Sequence, residues 1–152
     1  MTAQTGPDLR AEIEPGASIL IDTSVVIAYL TGSEATSSIA AQLFDDLVAT
    51  GRNPGAISMV TVGEILVRPF RRGPAALANA EGFLRHFGDL RLIPIDYDVA
   101  REGARLRALT DLAMPDALIV ASAIVLGADL IVTNDRSWPG VLGDAVPRVR
   151  VL

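Results

Sequence analysis

The sequence predicts one α/β domain with a central parallel sheet of four to five strands, covered by helices on both faces. Short apolar runs alternate along its 152 residues with longer segments of helical periodicity, the pattern of repeated strand–helix–strand units. Half of the residues are hydrophobic and only 5% are aromatic. An aliphatic core of this kind is typical of a sheet that helices bury on both sides, and the length suits one domain.

The predicted elements begin and end where these patterns change. Residues 1–17 are polar and contain Pro and Gly, so we expect a flexible N-terminal lead-in to a domain that spans 18–152. The short apolar runs predict strands at 18–21, 56–58, 90–95, 130–133 and 149–152. The helical periodicities predict helices at 23–30, between 33 and 51, from 61 to 69, and at 75–87, 97–112 and 116–126.

The composition excludes several classes of function. The chain has no cysteine, which excludes disulfides, zinc–thiolate sites and thiol nucleophiles. All 13 basic residues are arginine, so no mechanism can depend on a lysine. The single histidine, His86, falls in a peripheral predicted helix, and we interpret it as a surface residue. The net charge of −5 argues against bulk electrostatic attraction to nucleic acid but allows a local basic rim.

We expect a cytoplasmic protein that does not enter the membrane. The first 18 residues carry charges and lack the apolar stretch of a secretory signal. The longest apolar run, 117–128, is shorter than the roughly 20 residues that cross a bilayer.

Four carboxylates are predicted to meet at one edge of the sheet, the edge where parallel sheets bind their ligands. Asp22 directly follows the first strand, and Asp135 closely follows the fourth. The helix that begins at Asp116 runs away from this edge for roughly 15 Å, and the strand after Gly127 returns over roughly 13–17 Å, so Asp116 and Asp135 share the edge. Glu64 is expected in the first turn of a helix that starts there.

Each acid also has a purely structural interpretation. Asp22 could cap the first helix, and Glu64 completes a Thr-x-x-Glu capping box that starts at Thr61. Asp116 could be a negative charge that the dipole at a helix N-terminus favours, and Asp135 could be an ordinary turn residue. Four independent caps would not need to fall on four connections at one edge. Clustered carboxylates disfavour each other's ionisation, and a hard divalent cation such as Mg²⁺ or Mn²⁺ relieves that repulsion.

Three stretches of the sequence resemble the successive motifs of the PIN-domain family. They are ILIDTSVVIAYL, ISMVTVGEILVRP and MPDALIVASAIVLGADLIVTND. The resemblance runs from about Ile19 to Asp135 and is strongest to the VapC-type toxins of bacterial type II toxin–antitoxin pairs. Its most specific part is the D-A-L-I-x-A and x-T-N-D pattern of the third stretch. It implies a PIN-like domain that hydrolyses RNA with a metal ion, leaving a 5′-phosphate and a 3′-hydroxyl.

The resemblance also implies the residues of the site and the partners of the protein. Asp22 and Asp116 would hold the principal Mg²⁺ directly, while Glu64 and Asp135 would bind it through waters, orient the attacking water or hold a second ion. A supporting polar residue would be Thr23 or Thr133. The partners would be an RNA substrate, a small VapB-type antitoxin and a second copy of the chain in a homodimer.

Family members often carry a Phe or a further acid soon after the last Asp. Here Arg136, Ser137 and Trp138 follow, so the sequence offers no clear fifth acidic ligand, and we interpret Trp138 as a packing residue. A rim that faces RNA could be formed by arginines, namely Arg68, Arg71, Arg72, Arg85 and Arg136. The alternative for these arginines is an ordinary solvated helical face.

Three rival classes of protein place acids at the edge of a parallel sheet or share this fold. A receiver domain needs a lysine, which this chain lacks. A haloacid-dehalogenase-like phosphatase needs an Asp-x-Asp pair after the first strand, where this chain has Asp22, Thr23 and Ser24. The remaining alternative is a catalytically inactive PIN-like module that only binds partners, although such a scaffold would not need four acids.

Overall fold

A computed structural model of the chain describes residues 6–144 and 147–152. The strands in this part of the chain are β1 Ile19–Ile21, β2 Gly55–Ser58, β3 Leu90–Ile93, β4 Leu130–Thr133 and β5 Arg148–Val151. The α-helices are α1 Leu9–Glu12, α2 Thr23–Thr31, α3 Ser37–Ala41, α4 Met59–Arg72, α5 Pro74–His86, α6 Tyr97–Leu109, α7 Met114–Leu126 and α8 Trp138–Leu142. A π-helical segment, Gln42–Val48, continues α3.

The strands form one parallel sheet in the order β3-β2-β1-β4-β5, which confirms the predicted fold class. The chain builds the sheet outwards from β1 in one direction through β2 and β3, and then returns to add β4 and β5 on the other side. The strand order therefore reverses between β1 and β4. Sheets of this type bind their ligands beyond the carboxyl ends of the strands at such a reversal.

The central strand contributes to a hydrophobic core on each face of the sheet. Ile19 and Ile21 belong to the core that includes α2, α3 and the π-helical segment, whereas Leu20 belongs to the core that includes α6, α7 and α8. This division follows from the alternation of side chains along a strand. All three residues are fully buried, so the end of β1 is held rigidly from both sides.

The N-terminal segment differs from the expected flexible lead-in. Residues 1–5 lie outside the described part of the chain, but Leu9–Glu12 form a helical turn that Asp8 caps through its side chain. Leu9 and Ile13 are 0% and 2% exposed in the core on the α2 side of the sheet. The short polar stretch concealed this contribution, because two apolar residues are too few to show a periodicity. The structured domain therefore begins before residue 18.

Helix α4 is longer at both ends than the sequence predicted. It begins at Met59, because Ser58 accepts a hydrogen bond from the backbone N–H of Val60 and acts as the N-cap. It continues through Pro69 to Arg72 and ends at Gly73, whose φ of 118° favours glycine. Proline removes one backbone donor, but here it does not end the helix. The predicted loop between this helix and α5 is thus reduced to Gly73.

Other predicted boundaries differ by a few residues. The third strand ends at Ile93, before Pro94, which has no N–H for the ladder. Helix α6 ends at Leu109, and the Thr110 hydroxyl donates to the carbonyl of Leu106. The single helix expected between residues 33 and 51 is a short α3 followed by the π-helical segment. No helix in the described residues is long and apolar enough to span a membrane.

Candidate active site

The structure brings the four predicted acids to the carboxyl edge of the sheet. Asp22 directly follows β1, and Asp135 comes two residues after the end of β4. Asp116 lies in the first turn of α7, and Glu64 lies on α4. The negative charges of the other three acids all contribute to raising the pKa of Asp116. The other three carboxylates therefore lie near enough to Asp116 for their charges to act on it, at the strand reversal between β1 and β4.

Two hydroxyl groups fix the direction of the Asp22 carboxylate. Its Oδ2 accepts hydrogen bonds from the Ser24 hydroxyl at 2.7 Å and the Thr133 hydroxyl at 2.8 Å. Asp22 is 5% exposed and Thr133 is 0% exposed. Thr133 also accepts a hydrogen bond from the backbone N–H of Asp135, so one hydroxyl links two of the acids. Of the two expected supporting residues, Thr133 supports Asp22.

Thr23, the other expected supporting residue, contacts Glu64. Its hydroxyl donates to Glu64 Oε1 at 2.8 Å and lies 2.9 Å from the hydroxyl of Thr61. A threonine hydroxyl has one proton, so Thr61 is the donor to Thr23. This chain of two hydroxyls connects the start of α2 to α4 and orients a carboxylate that is itself exposed.

The environment of Asp116 disfavours its charged form. Burial is the largest cause of its raised pKa, followed by the charges of Asp22, Glu64 and Asp135. Asp116 sits at the N-terminal end of α7, where the helix dipole favours a negative charge. That contribution does not offset the desolvation and the repulsion.

Asp135 is exposed and has the opposite shift. The hydroxyl and the backbone N–H of Ser137 donate to its Oδ1 at 2.6 and 2.9 Å. These two bonds are the main reason that the pKa of Asp135 is lowered, and the side chain of Trp138 contributes in the same direction. Asp135 is thus held as a carboxylate at the rim of the cluster.

Two of the four structural alternatives, those for Asp22 and Glu64, are wrong in this fold. The side chain of Asp22 makes no capping hydrogen bond to α2. The expected capping box is absent because α4 starts at Met59, which places Thr61 inside the helix and Glu64 in its second turn. Asp135 does have a turn role through Ser137, so in its case a local function and a place in the cluster coexist.

The residues at this edge suit a hard divalent cation. All the available ligands are oxygens, and the negative charges of the other three acids act on Asp116. Among the described residues, no basic side chain forms an ion pair with any of the four acids. No three acidic or histidine side chains within residues 6–144 and 147–152 converge closely enough to hold a metal ion as they stand. Three of the acids instead accept hydrogen bonds from neighbouring hydroxyls. This arrangement fits Mg²⁺, which keeps several waters and needs only one or two direct carboxylates.

A groove leads away from Glu64 along α4. It has a volume of about 610 Å³ and is lined by parts of α2, α4 and α5, including Glu64, Arg68 and Arg72. These three residues are spaced four apart and share one helical face, whereas Arg71 is not among the lining residues. Arg68 forms no ion pair with Glu64 among the described residues. A hollow of similar size, about 590 Å³, is lined by Ser18 and other residues at the opposite end of the sheet but by none of the four acids.

Sequence reasoning missed three hydroxyls that organise the site. Ser24, Thr61 and Ser137 each contact an acid or its supporting threonine. Ser24 and Ser137 both lie two residues after an acid, a spacing that favours a local hydrogen bond. Thr61 had no such signal, because its partner Thr23 lies 38 residues away in the sequence.

Comparison with known proteins identifies the class to which this fold and site belong. The family model of the PIN domain matches residues 19–141, which include all four acids. The chain belongs to the PIN-domain family.

Within this family, the chain is similar to ribonuclease VapC19 of Mycobacterium tuberculosis. The two are 34% identical over 128 residues, which cover 79% of this chain and 91% of that protein. Solved structures share the fold. A toxin–antitoxin complex from Klebsiella pneumoniae matches with a TM-score of 0.66 and 22% identity over 88% of this chain and 96% of that chain. The sarcin–ricin loop cleaving toxin VapC20 of M. tuberculosis matches with a TM-score of 0.65 and 20% identity over 80% and 93%.

Proposed function

We propose that this protein is a divalent-metal-dependent endoribonuclease and the toxin of a VapBC-type toxin–antitoxin pair. The observation that carries the proposal is the placement of Asp22, Glu64, Asp116 and Asp135 at the carboxyl edge of the sheet, at the strand reversal between β1 and β4. There burial and then the charges of the other three acids raise the pKa of Asp116. A fold without a ligand here would gain nothing from concentrating this repulsion. The similarity to a VapC ribonuclease over 79% of the chain supports RNA as the substrate, and an RNA substrate would place the activity in the cytoplasm.

The acids divide into two groups by their surroundings. Asp22 and Asp116 are the more buried pair, and we assign them as direct ligands of Mg²⁺, for which Mn²⁺ would substitute. Glu64 and Asp135 are exposed, which suits them to hold waters of the ion or the water that attacks the phosphodiester. When bound, the ion supplies charge neutralisation at the phosphate and a more acidic water.

The protein's own residues prepare this chemistry before any substrate arrives. Thr133 and Thr23 hold the carboxylates of Asp22 and Glu64 by hydrogen bonds. Such supporting contacts fix the orientation of metal ligands and add to their affinity. The sole histidine, His86, is exposed on α5, so the general base is a carboxylate or a metal-activated water rather than an imidazole.

We assign the groove beside Glu64 to the polyanionic substrate and to the antitoxin. Arg68 and Arg72 line it and supply positive charge next to the acids. Ile27, Leu30 and Ile65 add apolar surface to the same groove, which suits a segment of a small VapB-type partner. The homodimer expected for VapC-type toxins is part of this proposal. The inactive, partner-binding alternative has no observation in its favour.

The proposed activity is tested by incubating the pure protein with structured and single-stranded RNA, with Mg²⁺, with Mn²⁺ or with EDTA. We expect endonucleolytic cleavage that leaves 5′-phosphates and stops in EDTA. Asp22→Asn should reduce the rate by more than about 100-fold, because residues that only support metal ligands already account for roughly 10–100-fold. Circular dichroism verifies that the variant is folded. Cleavage by a folded Asp22→Asn variant at the wild-type rate would show that the site is wrongly assigned.

A further inference from the structure

Two buried side-chain polar atoms in the described part of the chain have no hydrogen-bond partner, and both lie within three residues of Asp135 in the sequence. They are Oδ1 of Asn134 and Nε1 of Trp138. A buried polar group without a partner destabilises the folded state, so such groups are rare and call for an explanation. Their position on either side of a proposed site residue points to a role in the site.

Trp138 is the first residue of α8 and is anchored in the core on the α7 side of the sheet. It is 1% exposed and packs in one hydrophobic cluster with Leu20, Ile131 and Leu142. A phenylalanine or leucine could supply apolar volume here without introducing a donor. Packing alone therefore accounts for the ring of Trp138 but leaves its N–H unexplained.

The turn that connects Asp135 to α8 folds Trp138 back onto Asp135. The backbone N–H of Trp138 donates to the backbone carbonyl of Asp135 at 3.3 Å. Both hydrogen bonds from Ser137 fall on Oδ1 of Asp135, which leaves Oδ2 as an acceptor. The indole is near enough to contribute to the lowered pKa of Asp135, although it does not meet hydrogen-bond geometry.

We propose that Trp138 is a positioning residue for the proposed nuclease reaction, and that its Nε1–H donates to Oδ2 of Asp135 when the site is in its working arrangement. The buried ring provides a fixed point, whereas the carboxylate of Asp135 is exposed and, among the described residues, accepts hydrogen bonds from Ser137 alone. The indole sets the direction in which Asp135 presents its carboxylate. This inference rests on the proposed function, since it assigns a role in that same site.

The chain has a single tryptophan, so the donor can be removed without changing any other residue. Biosynthetic replacement of tryptophan by benzothienylalanine exchanges the indole N–H for sulfur and retains the ring shape. We expect kcat for RNA cleavage to fall about 10-fold, the loss that corresponds to one hydrogen bond to a charged group. KM for RNA and the melting temperature should change little. An unchanged kcat would overturn the proposal.

Leu142→Ala is the matched control for packing. Leu142 lies on the same short helix and in the same cluster as Trp138 and is 5% exposed. This variant should lower the melting temperature and leave kcat unchanged in protein that is still folded. If Leu142→Ala lowers kcat as much as loss of the indole N–H does, α8 acts only through packing, and the assignment to Trp138 is wrong.

A second measurement does not depend on catalysis. Labelling with ¹⁵N-tryptophan gives the protein one indole N–H resonance in an NMR spectrum. The spectrum is to be recorded with Mg²⁺ bound. Asp135→Asn should move this resonance upfield and speed its exchange with solvent, while Asp129→Asn, at the opposite edge of the sheet, should not. If Asp135→Asn leaves the position and exchange rate of the indole resonance unchanged, the proposed contact is wrong. A resonance that responds in a protein that cleaves no RNA would instead show that the contact exists and that the proposed function has failed.

Discussion

Hydroxyl groups orient three of the four carboxylates in the candidate site. Thr133, Thr23 and Ser137 each donate to a different acid. A hydroxyl can stabilise a carboxylate without adding charge, so these contacts orient the acids but leave their repulsion in place. Among the described residues no hydroxyl donates to Asp116, and burial together with that repulsion raises its pKa. This combination of oriented acids and unrelieved charge is what a divalent cation would complete.

The raised pKa of Asp116 predicts how stability depends on pH in the metal-free protein. The folded state favours the protonated acid, so its contribution to stability is present at low pH and lost as pH rises through the raised pKa. Asp116→Asn removes the charge. In EDTA at pH 7 we expect this variant to melt at a higher temperature than the wild type.

The advantage of Asp116→Asn should shrink as pH falls through the raised pKa of Asp116. It should be gone below about 3.9, the ordinary pKa of an aspartate, because the wild-type residue is then protonated in both the folded and the unfolded state. Thermal melts of both proteins across this pH range provide the measurement. A variant that is less stable than the wild type at pH 7, or a difference that does not vary with pH, would contradict the assigned environment of Asp116.

At the scale of elements, α1 and α4 are where the structure differs most from what the sequence predicted. Residues 8–13 fold against the π-helical segment, and the backbone N–H of Leu9 donates to the side chain of Gln42. Helix α4 extends through Pro69, and this extension keeps Arg72 in line with Glu64 and Arg68 along the groove. Both differences bear on function, because one sets the limit of the domain and the other shapes the approach to the site.

Leu9→Ala tests whether the N-terminal turn belongs to the domain. Leu9 is fully buried, so the substitution should lower the free energy of unfolding by about 2–5 kcal/mol, as for other buried leucines. Leu109→Ala is the control, because Leu109 is 70% exposed and should change stability by less than about 0.5 kcal/mol. Urea denaturation measures both. Equal, small effects would restore the interpretation of 1–17 as a flexible lead-in.

Arg68 and Arg72 are expected to guide RNA along α4. Replacing both by alanine should weaken RNA binding in EDTA and reduce the dependence of log K on log salt by about 1.4, or roughly 0.7 for each phosphate contact with a single strand. Arg71→Ala is the matched control, since Arg71 lies on the same helix but not in the groove. If Arg71→Ala has the larger effect on affinity or on salt dependence, RNA does not follow the groove that Arg68 and Arg72 line.

At the scale of the whole molecule, the topology explains why so much of the site could be predicted. In a parallel sheet, the residue after each strand lies at one edge, so the positions of Asp22 and Asp135 followed from recognising two apolar runs. The return path through α7 and β4 placed Asp116 by length alone. These inferences depend on chain direction and element length, both of which can be deduced from a sequence.

What could not be predicted depends on contacts between distant residues. The hydroxyl of Thr133 lies 111 residues from Asp22 in the sequence, and no local pattern indicates which acid it supports. The start of α4 depended on whether Ser58 or Thr61 capped the helix, and both residue types are good caps. The buried, unpartnered N–H of Trp138 becomes visible only when its surroundings are known.

The affinity of the protein for Mn²⁺ tests most directly whether the four acids form one cation site. We expect saturable binding by the wild type and a loss of at least about 10-fold in Asp116→Asn, since each ligand charge contributes to the affinity for a hard cation. Asp129→Asn should bind as the wild type does, because Asp129 lies at the amino end of β4 and accepts hydrogen bonds from Ser18. Titration calorimetry of the three proteins gives the answer. If Asp116→Asn binds Mn²⁺ as tightly as the wild type, or Asp129→Asn loses as much affinity, the cation is bound elsewhere and the account is wrong.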